Sequence, residues 1–396
     1  MRVIGIIAEY NPFHSGHKHH ISEIRRQFGN DCAIVCVMSG NWVQRGDCAI
    51  ADKWMRSAMA LRGGADLIFE LPTPWAVSSA ESFARGGVFL LDGAGIVDTL
   101  SFGSESGDLE PLRLAAKSLD SQNFQLHLRK FLEDGISFPA ARQKAATVLL
   151  GDASHCLSAP NNNLGVEYLR ALAHFGSEIS PSAIPRLGSS HDSDMASKNF
   201  ASASFLRKML LSGENMSPFP YLSHEDFEAL SMSGLSSLSF AERGVFARLR
   251  AMEAEDFLDI PDMSEGLHHL IADAARTSAT LEALYSRVKS KRYTHARIRR
   301  LVLWAFLGLS TADRWETPPY LRVLGMNAKG REMLREMRRR ASLPILTKPA
   351  HVRDFSPACQ RLFQAEARCT SLYDLCRQDF GVKPGKGEFE TTPVIF

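Results

Sequence analysis

The stretch from Val3 to His17, V-I-G-I-I-A-E-Y-N-P-F-H-S-G-H, restricts the fold more than any other part of the chain. An apolar run from Val3 to Ala8 stops at a polar turn carrying Asn11 and Pro12, and a helical pattern follows from about His17 to Phe28. Strand, loop and helix in that order make the first unit of a doubly wound parallel sheet, which binds ligands at the carboxyl ends of its strands. His14 and His17 stand at the mouth of the helix, where backbone N–H groups and the helix dipole favour an anion. Gly16 has no Cβ, so a phosphate chain can approach the backbone while the two imidazoles donate hydrogen bonds to it. Donors placed there act on charge that grows during attack at the α-phosphorus of ATP and on the departing pyrophosphate, so the pattern predicts adenylyl transfer rather than γ-phosphoryl transfer. H-x-G-H alone also describes two surface histidines at a turn; its position after a first strand favours the phosphate site.

The same rhythm continues. A second apolar run, Cys32 to Met38, leads into S-G-N-W-V-Q-R-G-D (Ser39 to Asp47), where Arg45 is placed to face a ligand. Asp52 caps a helix through Arg62, D-L-I-F-E-L-P reads as a third strand ending at Pro72, and Ser79 to Leu91 reads as a helix. Asp98 to Phe102 is a fourth strand running into F-G-S-E-S-G-D. Leu109 to Leu150 reads as a helical layer, and the asparagines after Pro160 as caps of an amphipathic helix. Ser202, Ser204 and Arg207, near another helix start, are candidate phosphate contacts as readily as a serine cap and a solvated arginine. Past Gly213 the texture turns helical with no renewed alternation, which places a domain boundary there: 1–213 and 214–396.

Charge is distributed unevenly. The whole chain carries 46 Lys and Arg against 44 Asp and Glu, yet Leu281 to Ala350 holds 16 against 5. A compact basic region on an otherwise acidic protein points to a polyanionic partner, although solvated helix faces can be equally basic. Within it Arg287 to Arg300 interleaves arginines with Tyr293 and His295, a mixture that suits splayed RNA bases; Lys329 to Arg340 is a second basic run. The seven cysteines include no C-x-x-C pair, which fits reduced thiols and no cysteine-held metal. The absence of a long apolar run and of a basic, apolar leader leads us to expect a soluble, cytoplasmic protein with no membrane partner.

Taken together, G-I-I-A-E-Y-N-P-F-H-S-G-H, V-M-S-G-N-W-V-Q-R-G, S-F-G-S-E-S-G-D, P-N-N-N-L-G, K-R-Y-T-H-A-R-I-R-R and R-V-L-G-M-N-A-K-G-R resemble the bacterial tRNA-Met cytidine acetate ligase family, within the H-x-G-H nucleotidyltransferases. The resemblance runs from residue 3 to the start of the 330s. It implies a Rossmann-like α/β domain followed by a mostly helical basic domain, and a ligase that activates acetate with ATP and acetylates the wobble cytidine of elongator tRNA-Met. Carried over, the ATP site comprises Ile7, Ala8, Glu9, Tyr10, Asn11, Pro12, Phe13, His14, Ser15, Gly16, His17, Lys18, His19 and His20, then Gly103, Asn161, Arg186 and Leu187. His14 and His17 are the expected catalytic pair, and Lys291, Arg292, Arg297 and Arg300 the expected tRNA contacts. The family's S-A-T-x-I-R appears as S-A-S-F-L-R from Ser202 to Arg207, which keeps the hydroxyl. Magnesium is expected to arrive with ATP; no carboxylate cluster compels a protein-held ion, and no protein partner is inferred. Two other readings compete: a small-cofactor adenylyltransferase, which leaves the basic half idle, and a non-catalytic RNA-binding factor.

Overall fold

The computed structural model describes residues 1–186, 201–213, 221–264, 266–379 and 387–396. Their strands are β1 (Val3–Ala8), β2 (Ala33–Ser39), β3 (Trp42–Val43), β4 (Asp47–Cys48), β5 (Leu67–Leu71), β6 (Thr99–Ser104), β7 (Ser180–Pro185), β8 (Leu321–Met326), β9 (Ile345–Leu346) and β10 (Val394–Ile395). β3 and β4 form a small antiparallel hairpin. The other eight share one sheet in the order β10-β8-β5-β2-β1-β6-β7, with β9 added on β8. From β5 through β7 all neighbours are parallel. Every residue of β2 is buried, as expected for a central strand covered on both faces. One face packs Val35, Phe69, Leu91 and Val166 beneath helices Ala80–Gly93 and Pro160–Phe175. The opposite face packs Ile4, Ile24, Met59 and Leu206 beneath helices Ser15–Phe28, Lys53–Arg62 and Ala203–Ser212. The chain leaves β1 for β2 on one side and later reaches β6 on the other, so the crevice for a ligand opens at the carboxyl end of β1.

The expected boundary at residue 213 would put the whole sheet before it, but β8, β9 and β10 come after it. β8 runs antiparallel to β5. β8 is followed by helix Ala328–Arg340 and the parallel strand β9, one more strand–helix–strand unit, but β9 and β10 are only two residues long and leave too short an apolar run for the pattern to show. Between these strands and residue 213 lies the expected helical region, with its own core of Val245, Ile271, Leu284, Leu301 and Phe306. The hairpin residues Trp42 and Cys48 belong to that core rather than to either face of the sheet.

A buried ionic cluster joins the chain's two halves beneath the loop after β2. Lys53 Nζ donates to both Glu70 oxygens at 2.7 and 2.8 Å and also reaches Glu388. Arg322 Nε donates to Glu388 at 3.1 Å. Glu366 accepts from the Thr73 N–H at 2.6 Å and the Thr73 hydroxyl at 2.8 Å. All five charged side chains are buried.

Candidate nucleotide cleft

His14 caps helix Ser15–Phe28 with its own ring. The Gly16 N–H donates to His14 Nδ1 at 3.0 Å, and the His14 N–H donates to His17 Nδ1 at 3.3 Å, a reciprocal capping box built from two imidazoles. Because both Nδ1 atoms accept, the proton of each neutral ring sits on Nε2, which makes each ring a donor at its other end. The rings stack at 3.9 Å, and Tyr10 meets His17 edge-on at 4.7 Å. Gly16 is required here for a reason the sequence did not show: a Cβ would come within 2.9 Å of the His14 ring. The helix's own first N–H groups are already engaged, Ser15 with the Tyr221 carbonyl at 2.8 Å and His17 with the His14 carbonyl at 2.9 Å. Anion binding at this end therefore falls to the imidazoles and the dipole, not to open backbone donors.

The cleft over β1 collects Ile7, Ala8, Glu9, Tyr10, Asn11, His14, His17, His20, Gly103, Asn161, Arg186 and Ser202 from the expected set, together with Arg45. Phe13, Ser15 and Lys18 face a separate recess beside Arg62 and Tyr221. Pro12 is buried, Gly16 and His19 are half-buried, and none of the three lines the cleft. Leu187 lies outside the described residues. Ser204 and Arg207 sit just behind the rim: Arg45 Nη1 and Arg207 Nη2 both donate to Ser204 Oγ, at 3.3 and 3.2 Å, and Arg207 Nη1 donates to the Asn11 carbonyl at 2.8 Å. Ser202 is the cap of its helix, accepting from the Phe205 N–H at 3.1 Å. His20 shares a 2.9 Å hydrogen bond with the Ser101 hydroxyl. Burial, with Arg186 and His19 nearby, pushes its pKa down to about 4, so it is a neutral ring at pH 7.

Several residues of the site were not legible. The asparagines after Pro160 were read as caps, but the cap position is Ala159 and makes no side-chain bond. The acceptor is Glu105, from the loop after β6, which takes the Asn161 and Asn162 N–H groups at 3.3 and 3.0 Å and the Asn161 amide at 2.9 Å. That leaves Asn161 Oδ1 for Arg186 Nη1, at 3.3 Å. Arg56, fully buried, donates to the carbonyls of Glu9 at 2.6 Å, Ala51 at 2.9 Å and Ser39 at 3.1 Å, tying the ends of β1 and β2 together. Phe83, Phe102, Leu164 and Tyr168 give the cleft an apolar wall. No spacing rule identifies this set, since apart from the residues of helix Pro160–Phe175 its members come from separate elements and meet the site only in three dimensions.

The expected RNA contacts separate. Lys291 and Arg292 are exposed, whereas Arg297 donates to the Asp262 carbonyl at 2.6 and 3.2 Å and Arg300 Nη1 donates to the Gln44 carbonyl at 3.4 Å. The second basic run, helix Ala328–Arg340, starts beside Asp66 and Cys32, at the amino end of the parallel strands and away from the cleft. Among the described residues no group of three His, Cys, Asp or Glu could hold a metal ion, and no helix is long and apolar enough to cross a membrane.

A cleft at the reversal point of a doubly wound sheet, edged by a stacked histidine pair at a helix mouth, defines a nucleotidyltransferase, and the HIGH Nucleotidyl Transferase family model matches residues 1–386. Closer relatives narrow this. The tRNA(Met) cytidine acetate ligase of Acetivibrio thermocellus is 35% identical, covering 100% of both chains, and that of Clostridium novyi is 37% identical, covering 100% of this chain and 99% of its own. The crystal structure of Thermotoga maritima TmcAL in its apo form I superposes with a TM-score of 0.94 at 30% identity, covering 100% of both chains. The same protein bound with alpha-thio ATP superposes at 0.91. The chain belongs to the tRNA(Met) cytidine acetate ligase family.

Proposed function

We propose that this protein joins acetate to ATP as acetyl-adenylate and passes the acetyl group to the exocyclic amine of the wobble cytidine of elongator tRNA-Met. In the first step an acetate oxygen bonds to the α-phosphorus and pyrophosphate leaves. In the second the cytidine amine bonds to the acetyl carbon, AMP leaves, and the amine gives up a proton. The observation that carries the reading is the histidine pair: backbone donation to both Nδ1 atoms fixes His14 and His17 as Nε2–H donors beside the cleft. Asn161, held by Glu105, and Arg186 form a polar corner against the apolar wall, suited to the nucleoside, while Arg45 and Arg207, joined through Ser204 at the rim, supply further positive charge. Magnesium would enter on ATP. The adenylation chemistry falls in 1–213, and the helical region beyond it, through Lys291, Arg292 and Arg297, receives the tRNA. Radiolabelled acetate should enter tRNA-Met only when ATP is present; incorporation without ATP, or none with it, would reject the reading.

A further inference from the structure

The β3–β4 hairpin stands between the nucleotide cleft and the basic helix His295–Leu307, and its turn is attached to both. On the cleft side the Gln44 N–H donates to Glu9 Oε1 at 2.7 Å, and Gln44 and Arg45 line the cleft itself. On the other side Arg300 Nη1 donates to the Gln44 carbonyl at 3.4 Å. Gly46, with φ of +76°, lies against the helix so closely that a Cβ would stand 2.6 Å from the backbone of Arg299 and Arg300. The hairpin's base is anchored as well, since Trp42 Nε1 donates to the Cys369 carbonyl at 3.1 Å and its ring meets Phe306 edge-on at 6.2 Å. The turn cannot move relative to the cleft without breaking contacts with the helix.

Arg300 was expected to hold a tRNA phosphate, yet it is half-buried and its guanidinium is committed to the turn that lines the cleft. We propose that Arg300 is a positioning residue of the nucleotide cleft: it holds the Gln44 carbonyl, and through that turn it places Gln44 against Glu9 and Arg45 toward the reacting groups. The proposal rests on the reading of this cleft as the adenylation site. A guanidinium suits the task because it stays charged when partly buried and offers several donors in a fixed plane. The basic segment from Lys291 to Arg300 then has two kinds of cation, Lys291 and Arg292 exposed at the surface and Arg300 supporting the first half-reaction.

The test is acetate-dependent exchange of labelled pyrophosphate into ATP by the full chain with no tRNA present. Arg300→Ala should lower the exchange rate by about 10-fold to 100-fold, the scale expected when a supporting group lets a reacting group drift by an ångström. Arg300→Lys should recover part of the loss, because an ammonium can still donate to one carbonyl. Exchange by Arg300→Ala at the parent's rate, with the loss confined to tRNA affinity, would overturn the proposal. So would equal losses in both variants accompanied by lowered melting temperatures, which would mark a general packing role. If the parent itself shows no acetate-dependent exchange, the reading of the reaction fails, and the Arg300 link is then decided by calorimetry: Arg300→Ala must still weaken ATP binding.

Discussion

Replacing His14 removes two things at once, the Nε2–H donor beside the cleft and the Nδ1 acceptor that caps the helix. His14→Ala should therefore slow adenylation by about 100-fold or more and also lower stability by about 1 kcal/mol. His14→Asn keeps a capping oxygen and should restore the melting temperature but not the rate; His17→Ala should lose rate with ATP affinity largely kept. Single-turnover acetyl-adenylate formation beside calorimetric ATP binding distinguishes these outcomes, and a variant that forms the adenylate at the parent's rate removes that histidine from the chemistry. His20 behaves differently because burial holds its pKa near 4, below the ordinary 6.5. The native state binds fewer protons than the unfolded one between those values, so His20 costs stability progressively as pH falls from 6.5 to 4. His20→Gln, still able to bond the Ser101 hydroxyl, should melt with a shallower dependence on acid across that window; an unchanged slope would show that His20 carries a proton in the fold. The identity of the histidine pair was legible because H-x-G-H follows directly on β1. Which nitrogen carries the proton was not, since that depends on where two backbone N–H groups point.

The basic helix shows how an element can be read correctly while its side chains are not. Thr294 caps it and its apolar half is buried, as the pattern from His295 to Leu307 predicts. Its basic residues divide by geometry: Arg300 turns inward to Gln44, Lys291 and Arg292 just before the helix are exposed, and Arg297, over the Tyr293 ring at 5.6 Å, holds the Asp262 carbonyl at the surface. Lys291, Arg292 and Arg297 replaced together by alanine should weaken tRNA binding and flatten its salt dependence, because fewer counterions are released. Filter binding over a salt series reads this, with tRNA-free pyrophosphate exchange as the companion measurement. Parental affinity and salt slope in the triple variant would place the RNA elsewhere. The run from Lys329 to Arg340 contributed to the same charge surplus but packs near the opposite end of the parallel strands. Charge counted along the chain cannot separate the two, because the antiparallel β8 between them carries the chain from one end of the sheet to the other.

At the scale of the molecule, the parallel core was readable from its repeating units, but the closure of the two halves on each other was not. That closure passes through the buried cluster, where Lys53 and Glu70 come from the first units and Arg322, Glu366 and Glu388 from the last part of the chain. Two cations and three carboxyls in a buried space leave one negative charge in excess, and burial, with Glu70 nearby, pushes Glu366 up to about 8. A proton on Glu366 brings the cluster to neutrality, and burial beside Glu70 favours that proton. A folded pKa above the ordinary 4.5 means the native state binds the extra proton between 4.5 and 8, so its contribution to stability is complete below that window and is lost as pH rises through it. Glu366→Gln mimics the protonated form: its amide oxygen can accept from the Thr73 N–H while its NH2 donates to the Thr73 hydroxyl, the two atoms Glu366 already touches. The variant should match the parent's melting temperature near pH 5 and exceed it increasingly toward pH 8, because it has no proton to lose. Thermal melts of parent and variant across that range decide the matter. A variant that is less stable than the parent at every pH, with a parallel slope, would mean that Glu366 is ionised in the fold and that the cluster needs its charge.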